Sequence, residues 1–584
     1  MVLYFINYSK KVFEHSAIRH ISMGAGVLKM IRNSYRRGSE MYLKKRIFIL
    51  VLFLFLVRSN ICFSEVLGYH TVILDSQNKI LPWYSPNANA YDRYLYQLWQ
   101  WLPTVPNYNG LPMYYLSCGF RPGTPITPDT WENDWGERVP NFVDFARLYY
   151  AYSGNTGPLT IAKSMVDYAL AHGMTPAGYS WPYMAYGTAN AGASDFNGDN
   201  VAWNQYDVLV DLSADMGMSF YKMYLIYGTA AYRTAAINMA NTLASKIVAG
   251  SATDSPWPYV VNANTGATRS RYCSNWAGAL TLFDLLIDHG EPNTAAYTTA
   301  RNTLKNWILT YPMANGKWVD GHSDNAIDGN TNLSNTCKSN MNLYLLDNPS
   351  FDPNFLTHVP ELLQWTETNM VAVSTGDGLY GSTGVYYGAH VPGEQIAFMM
   401  RMGYQAARVG AEYARWYAIS GNAAHKDIAY RSLNYNTYMM KSSGESSDGP
   451  TSTVGYWWSD SYAEGPRMYF HGFAGMPEYA PPREDHILYS KSVLINVSYA
   501  SGSLRYTPTD GAGIEYLRLA FLPSDITVNG VKLSSRTDLG AEGYTVKDLG
   551  NGDYAVNIRR SRAGDVMIST GQRPSPPTNV RIVQ

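Results

Sequence analysis

Cysteine is scarce: the 584 residues hold 4, namely Cys62, Cys118, Cys273 and Cys337, and no group of them has zinc-binding spacing. Three follow the amino-terminal segment discussed below, an odd number that allows at most one disulfide. Cross-links therefore do not hold this fold together. Charge is thin as well, at 16%. The unbroken apolar run Ile47 to Val57 falls short of the roughly 20 residues that a settled membrane span needs. No glycine-rich loop follows a strand pattern in the way phosphate cradles require, so no organic cofactor is implied.

That short apolar run has its own meaning. Lys44-Lys45-Arg46 precedes it and the small residues Cys62 and Ser64 follow it, the layout of a secretory signal. Met41 opens such a signal by itself, so residues 1–40 read as an upstream extension and 1–64 as a removable leader. Export to the medium, the periplasm or the cell envelope is the expectation, and an uncleaved leader is the one expected link to a membrane. Beyond it stand 34 basic against 44 acidic residues, which argues against nucleic acid as a partner. The remaining 520 residues exceed what one core serves, so a large domain and a smaller one are expected.

What the chain does have is a repeat. A helix pattern ends in an aromatic or aliphatic patch, a very short turn follows, and a second, alanine-rich helix pattern begins. The turns fall at Gly154, Gly228, Gly290 and Gly421, with a fifth at Leu345 to Pro349. A further helical stretch, Ser461 to Gly475, can pair with the early one at Tyr91 to Leu102, giving six hairpins. No hairpin buries its apolar face alone, so they stack or close into a ring. After Pro481-Pro482 the period changes to two. Val493–Tyr499, Ser503–Thr507, Ile514–Leu522, Ile526–Leu533, Tyr544–Val546 and Tyr554–Arg559 read as strands of a β-sandwich.

Aromatic residues are abundant at 14%, with 48 Tyr and 15 Trp, and offer flat faces with a polar edge that suit sugar rings as well as a large core. Turns within hairpins are short, whereas the linkers between them run to twenty or thirty residues (173–206, 250–275, 311–333, 371–394 and 441–460). Loops that long are usually functional, and all of them must emerge at one end of the assembly.

The repeat, the Ser-Gly-Asn turns and the trailing strands together resemble the six-hairpin glycosidases, the (α/α)6 toroid class of glycoside hydrolases, unsaturated-glycuronyl hydrolases and some polysaccharide lyases. The resemblance covers about residues 90–480 and is architectural. It implies a mainly α fold, an (α/α)6 toroid over 65–482, followed by an antiparallel β-sandwich over 483–571 and a proline-rich tail over 572–584. It also implies that the helix before each short turn is the inner one, with the site at the amino ends of the inner helices.

The stretches leading into those helices are dense in acids and aromatics. Glycoside cleavage needs one protonated and one ionised carboxyl. Asp134 and Asp460 lie in aromatic settings that favour the protonated form, whereas Asp207 and Glu394, each expected to open an inner helix, are biased toward ionisation by the helix dipole. Trp135, Trp203, Asn204, Arg271, Trp276, His390, Trp457, Trp458 and Tyr462 are the candidate substrate contacts. Asp195, Asn197 and Asp199 resemble the first half of a calcium loop, although Asn200 stands where glycine belongs and Tyr206 where a bidentate Glu belongs, so Ca2+ is a candidate ligand and is not required. The expected activity is a glycoside hydrolase acting on an oligo- or polysaccharide. The rivals are a uronate lyase, with His390 beside Tyr386-Tyr387 and with Arg271 and Asn275 across the ring, and a non-catalytic glycan-binding envelope protein.

Overall fold

The computed structural model describes residues 65–108, 135–186, 205–319, 331–372, 382–450 and 460–570, with short pieces between 110 and 134 and at 188–189. The expected leader and the tail lie outside the described residues. Among the described residues no helix is long and apolar enough to cross a membrane.

The helices are α1 (Ala90–Trp101), α2 (Trp135–Ser153), α3 (Gly157–His172), α4 (Val210–Tyr227), α5 (Ala230–Lys246), α6 (Ala277–Asp288), α7 (Thr294–Thr310), α8 (Asn335–Asp347), α9 (Phe355–Thr366), α10 (Gly403–Ser420), α11 (Ala423–Thr437) and α12 (Gly465–Gly475). Burial decides which of them are inner. On α5 only Tyr232, Ala235, Ala236, Met239, Ala240, Thr242 and Leu243 are buried, one stripe of a helix with a wet face. On α4 every residue from Val210 to Met223 except Asp215 is buried, so it has neighbours all round.

The inner helices form a closed ring. Helix α2 packs on α4, α4 on α6, α6 on α8, α8 on α10, α10 on α12, and α12 back on α2. Outer helices α3, α5, α7, α9 and α11 each pack on the inner helix before them, while α1 fills the sixth outer place against α11 and α12. The reversals rest on left-handed backbone. Gly228 has φ +69° and donates its N–H to the Tyr224 carbonyl at 2.7 Å, and Gly421 repeats the arrangement at +66° with Tyr417 at 2.9 Å. A side chain is strained in that region, which is why glycine marks these turns.

Nine strands follow: β1 (His486–Ser490), β2 (Leu494–Ala500), β3 (Ser503–Pro508), β4 (Gly513–Leu519), β5 (Asp525–Val528), β6 (Val531–Lys532), β7 (Gly543–Gly550), β8 (Asp553–Arg560) and β9 (Val566–Ser569). They build two antiparallel sheets, in the orders β1-β4-β8-β7 and β2-β3-β9-β5-β6, which share one apolar cluster including Leu504, Leu517, Ile526, Val556 and Ile568. The single strand expected at Ile526–Leu533 is two strands. Asn529 (φ +49°) and Gly530 (φ +75°) are both left-handed, the requirement of a two-residue hairpin turn. Strand β1 packs on α2 and α12, and His486 Nδ1 lies 2.9 Å from the Tyr152 carbonyl, so the β region covers the carboxy end of the ring.

Candidate active site

Each inner helix brings one polar side chain toward the axis near its amino end. Asn275, just ahead of α6, donates to Asp211 Oδ2 on α4 at 3.1 Å. Asn340 on α8 donates to Asn275 Oδ1 at 3.1 Å, and Arg408 on α10 donates to Asn340 Oδ1 at 2.9 Å. Arg408 also pairs with Glu464, the residue before α12, and Arg467 reaches the same carboxylate at 3.6 Å. Glu137 in the first turn of α2 completes the set, because carboxylate oxygens of Glu137, Asp460 and Glu464 all lie within 4.8 Å of one another. The result is a polar girdle drawn from all six inner helices.

Local backbone makes the carboxylate cluster. Residues Asp460–Glu464 form a π-helical turn ahead of α12, wider than an α turn and common at functional sites. It places both acids on the side that meets Glu137. Three carboxylates at this spacing could hold a divalent cation, and here two guanidinium groups already supply positive charge beside them.

Asp211 differs from that cluster. Burial pushes its carboxyl up to about 7, against the opposing pull of Asn275, backbone N–H groups and the Cys273 thiol. Its Oδ1 is buried without a hydrogen-bond partner. Such an acid keeps its proton near neutrality. Tyr404 is similar: burial first, then the charges of Asp460, Glu394 and Glu137, hold its phenol far above the usual range, and its hydroxyl is buried and unpartnered. Burial, and then Arg467, lower Arg408 to about 10.

The expected residues divide. Asp460 joins the cluster, and buried Glu394 does not open an inner helix, since that helix begins only at Gly403, but lies close enough for its charge to act on Tyr404. Asp207 does not open an inner helix. It sits in a three-residue strand, Asp207–Leu209, with Arg269 at 3.5 Å, and the helix begins one residue past that strand. Asp134 lies in a two-residue strand, and its side chain is outside the described residues, as are Trp203, Asn204, Trp457, Trp458, Asp195, Asn197 and Asp199.

Five other expectations are corrected. Trp135, Trp276 and Tyr462 are each 0% exposed and have no face to offer a sugar. Trp276 packs on Trp257 and donates to the Cys273 carbonyl, Tyr462 stacks on Trp101, and Trp135 packs edge-on against Tyr168. Arg271 points outward, 75% exposed beside Asp254, rather than across the ring. His390 is 2.8 Å from Glu367, which also binds the Tyr413 hydroxyl, and is engaged there rather than in the girdle. The sequence reading passed over Asp211, Glu464, Arg408, Tyr404 and Asn340. The available signal was a polar residue within the first two turns of a helix otherwise buried on every side.

No family model matches the chain, and no curated protein matches it. Among solved structures it is similar to a cellobiose 2-epimerase from Spirochaeta thermophila, at 10% identity over 68% of this chain and 99% of that one, with a TM-score of 0.46. It is similar to a cellobiose 2-epimerase from Bacillus thermoamylovorans, at 12% identity over 65% and 97%, with a TM-score of 0.47. A family 76 glycoside hydrolase from a bovine Bacteroides thetaiotaomicron strain follows, at 12% identity over 66% and 78%, with a TM-score of 0.41. The helix packing of this chain by itself gives the architecture: six helical hairpins closed into a ring, an (α/α)6 toroid.

Proposed function

We propose that the chain is an exported carbohydrate-active enzyme, a toroid carrying a β-sandwich, and that it hydrolyses glycosidic bonds at the girdle. One observation carries this reading: a carboxyl whose burial raises it to about 7, Asp211, shares a girdle with a cluster of three carboxylates set beside guanidinium groups. Hydrolysis of a glycosidic bond needs that division of labour. Asp211 acts as the general acid that protonates the leaving oxygen. Asp460, read from the sequence as a candidate acid, or Glu137 acts on the opposite side as base or nucleophile, with Glu464 held by Arg408 and Arg467 as their electrostatic support. Trp457 and Trp458, which directly precede this cluster in the chain, supply the sugar platform.

The same geometry bears on the lyase alternative. Glu137, Asp460 and Glu464 cluster here, and Arg408 and Arg467 reach Glu464, so acids outnumber these two arginines and the site favours a neutral glycan over a uronate polymer. Tyr404, with its unpartnered hydroxyl near Glu394 and Asp460, is the residue that would serve a lyase as base. Incubation with neutral and with acidic polysaccharides separates the readings. New reducing ends without ultraviolet-absorbing products support hydrolysis, and absorbing unsaturated ends support elimination. Unchanged turnover in both Asp211→Asn and Asp460→Asn would sink the assignment.

A further inference from the structure

Beneath the girdle, on the barrel axis, lies a cavity of about 150 Å³. Part of its wall is a stripe of α6, namely Gly278, Thr281, Leu285 and Asp288, the spacing of one helix face. The stripe spans ten residues, about 15 Å at 1.5 Å per residue. At its inner end the cavity touches Asn340, a girdle member. At its outer end stand exposed Asp288 and, from the β region, Lys491 and Asp510. A passage with both polar and apolar walls thus runs from the girdle toward the carboxy-terminal face of the ring.

Most charges in this wall are paired. Asp144 is held by Lys222 and Arg147, with Arg467 at 3.5 Å, Asp347 by Arg415, and Asp510 by Arg560. Asp215 is the exception deep inside, because no described residue forms an ion pair or hydrogen bond with its carboxyl. It keeps accessible surface in the middle of the barrel, and that surface belongs to the cavity wall. It is four residues after Asp211, one turn along the same helix face. A methyl group at Gly278 would fall 1.4 Å from Asp215 Oδ1, so glycine there leaves room for the carboxyl. Burial first, and then the like charges of Asp211 and, more weakly, Asp144, keep this carboxyl well above its ordinary range, despite Arg467 and Lys222.

We propose that the cavity is a water-filled proton conduit and that Asp215 relays protons from the carboxy-terminal face of the ring to Asp211. The inference rests on Asp211 as general acid. Once Asp211 has given its proton to the leaving oxygen, the O–H bond of Asp215 breaks as its proton passes to a bridging water, and that water gives up another of its protons to form the new O–H bond on Asp211. A hydronium ion in the cavity restores the proton on Asp215. The proton released by the attacking water leaves from the substrate side of the girdle, so one water is consumed and no net proton is gained. The acid is recharged while product still fills the site.

Infrared spectroscopy tests this without turnover. The carbonyl band of protonated Asp211 is identified by subtracting the spectrum of Asp211→Asn, and its shift after mixing into D2O gives the exchange rate. Asp215→Asn removes the relay, and Thr281→Leu narrows the passage. Each is expected to slow exchange at Asp211 tenfold or more, with unfolding midpoints near that of the unaltered chain. Exchange as fast in Asp215→Asn as in the unaltered chain overturns the conduit. That variant is isosteric and its carboxyl has no partner to lose, so it decides the matter if Thr281→Leu fails to fold. A chain that cleaves no glycan yet shows Asp215-dependent exchange refutes the enzyme reading alone, and an active hydrolase whose exchange ignores Asp215 refutes the conduit alone.

Discussion

The β region and the helical ring both pair most of the charge they bury, and they differ at two carboxyls of the ring. In the β region Arg560 meets Glu515 at 2.8 Å and Asp510 at 2.9 Å, while Arg518 meets Asp553 at 2.7 Å and the Pro477 carbonyl at 3.1 Å. The ring follows that rule in places, as where Lys338 and Glu412 pair at 2.7 Å with both side chains fully buried. It breaks the rule at Asp211 and Asp215, which have no cation within 4 Å among the described residues. An unpaired buried carboxyl costs stability, so it persists where its proton has work. Pairing marks architecture here, and its absence marks chemistry.

Asp211→Asn tests that contrast most strongly. It keeps the volume and removes the transferable proton, so kcat on a susceptible glycan should fall about 10²–10⁴-fold while the unfolding midpoint holds or rises. Intact turnover would erase the distinction between the regions. The counterpart is Arg560→Met, which leaves Glu515 buried and unpaired. Denaturant unfolding should show a loss of about 3–5 kcal/mol, and a loss below about 1 kcal/mol would mean that pairing is not what holds the β region.

A pH titration sharpens the same comparison. Burial raises Asp211 to about 7 from the ordinary 3.8, so the folded chain holds a proton that the unfolded chain releases. The stability this contributes is complete below about pH 4 and is lost as pH rises to about 7. The stability difference between the unaltered chain and Asp211→Asn should slope downward across that window and be flat above it, and activity should decline as pH rises through 7. The smallest effect belongs to the wet face of the outer layer. Lys163 and Asp167 pair at 2.7 Å with both side chains more than a third exposed, and Lys163→Ala should shift stability by less than about 0.5 kcal/mol.

The hairpins were legible because their turns demand left-handed backbone, and glycine announces that requirement locally. The strands were legible from alternation, except where Asn529-Gly530 hid a turn inside an apolar run. The site was harder to read for two physical reasons. Aromatic area favours the core over solvent, so Trp135, Trp276 and Tyr462 went inward although their neighbours are polar. Asp211 lies within Val208-Leu209-Val210-Asp211-Leu212, where its apolar company reads as core. That same company is what raises its pKa. Asp207, four residues earlier and in a strand, looked more polar in sequence and met Arg269 instead.

Because the sixth hairpin is assembled from α1 and α12, the first and last helices of the ring, closure waits for the far end of the helical chain. During synthesis on a ribosome, five hairpins can line up with one seam still open, and only the emergence of Gly475 lets α12 bridge α10 and α2. Any truncation short of that point leaves two apolar flanks bare, a hazard for aggregation that a chaperone would have to cover.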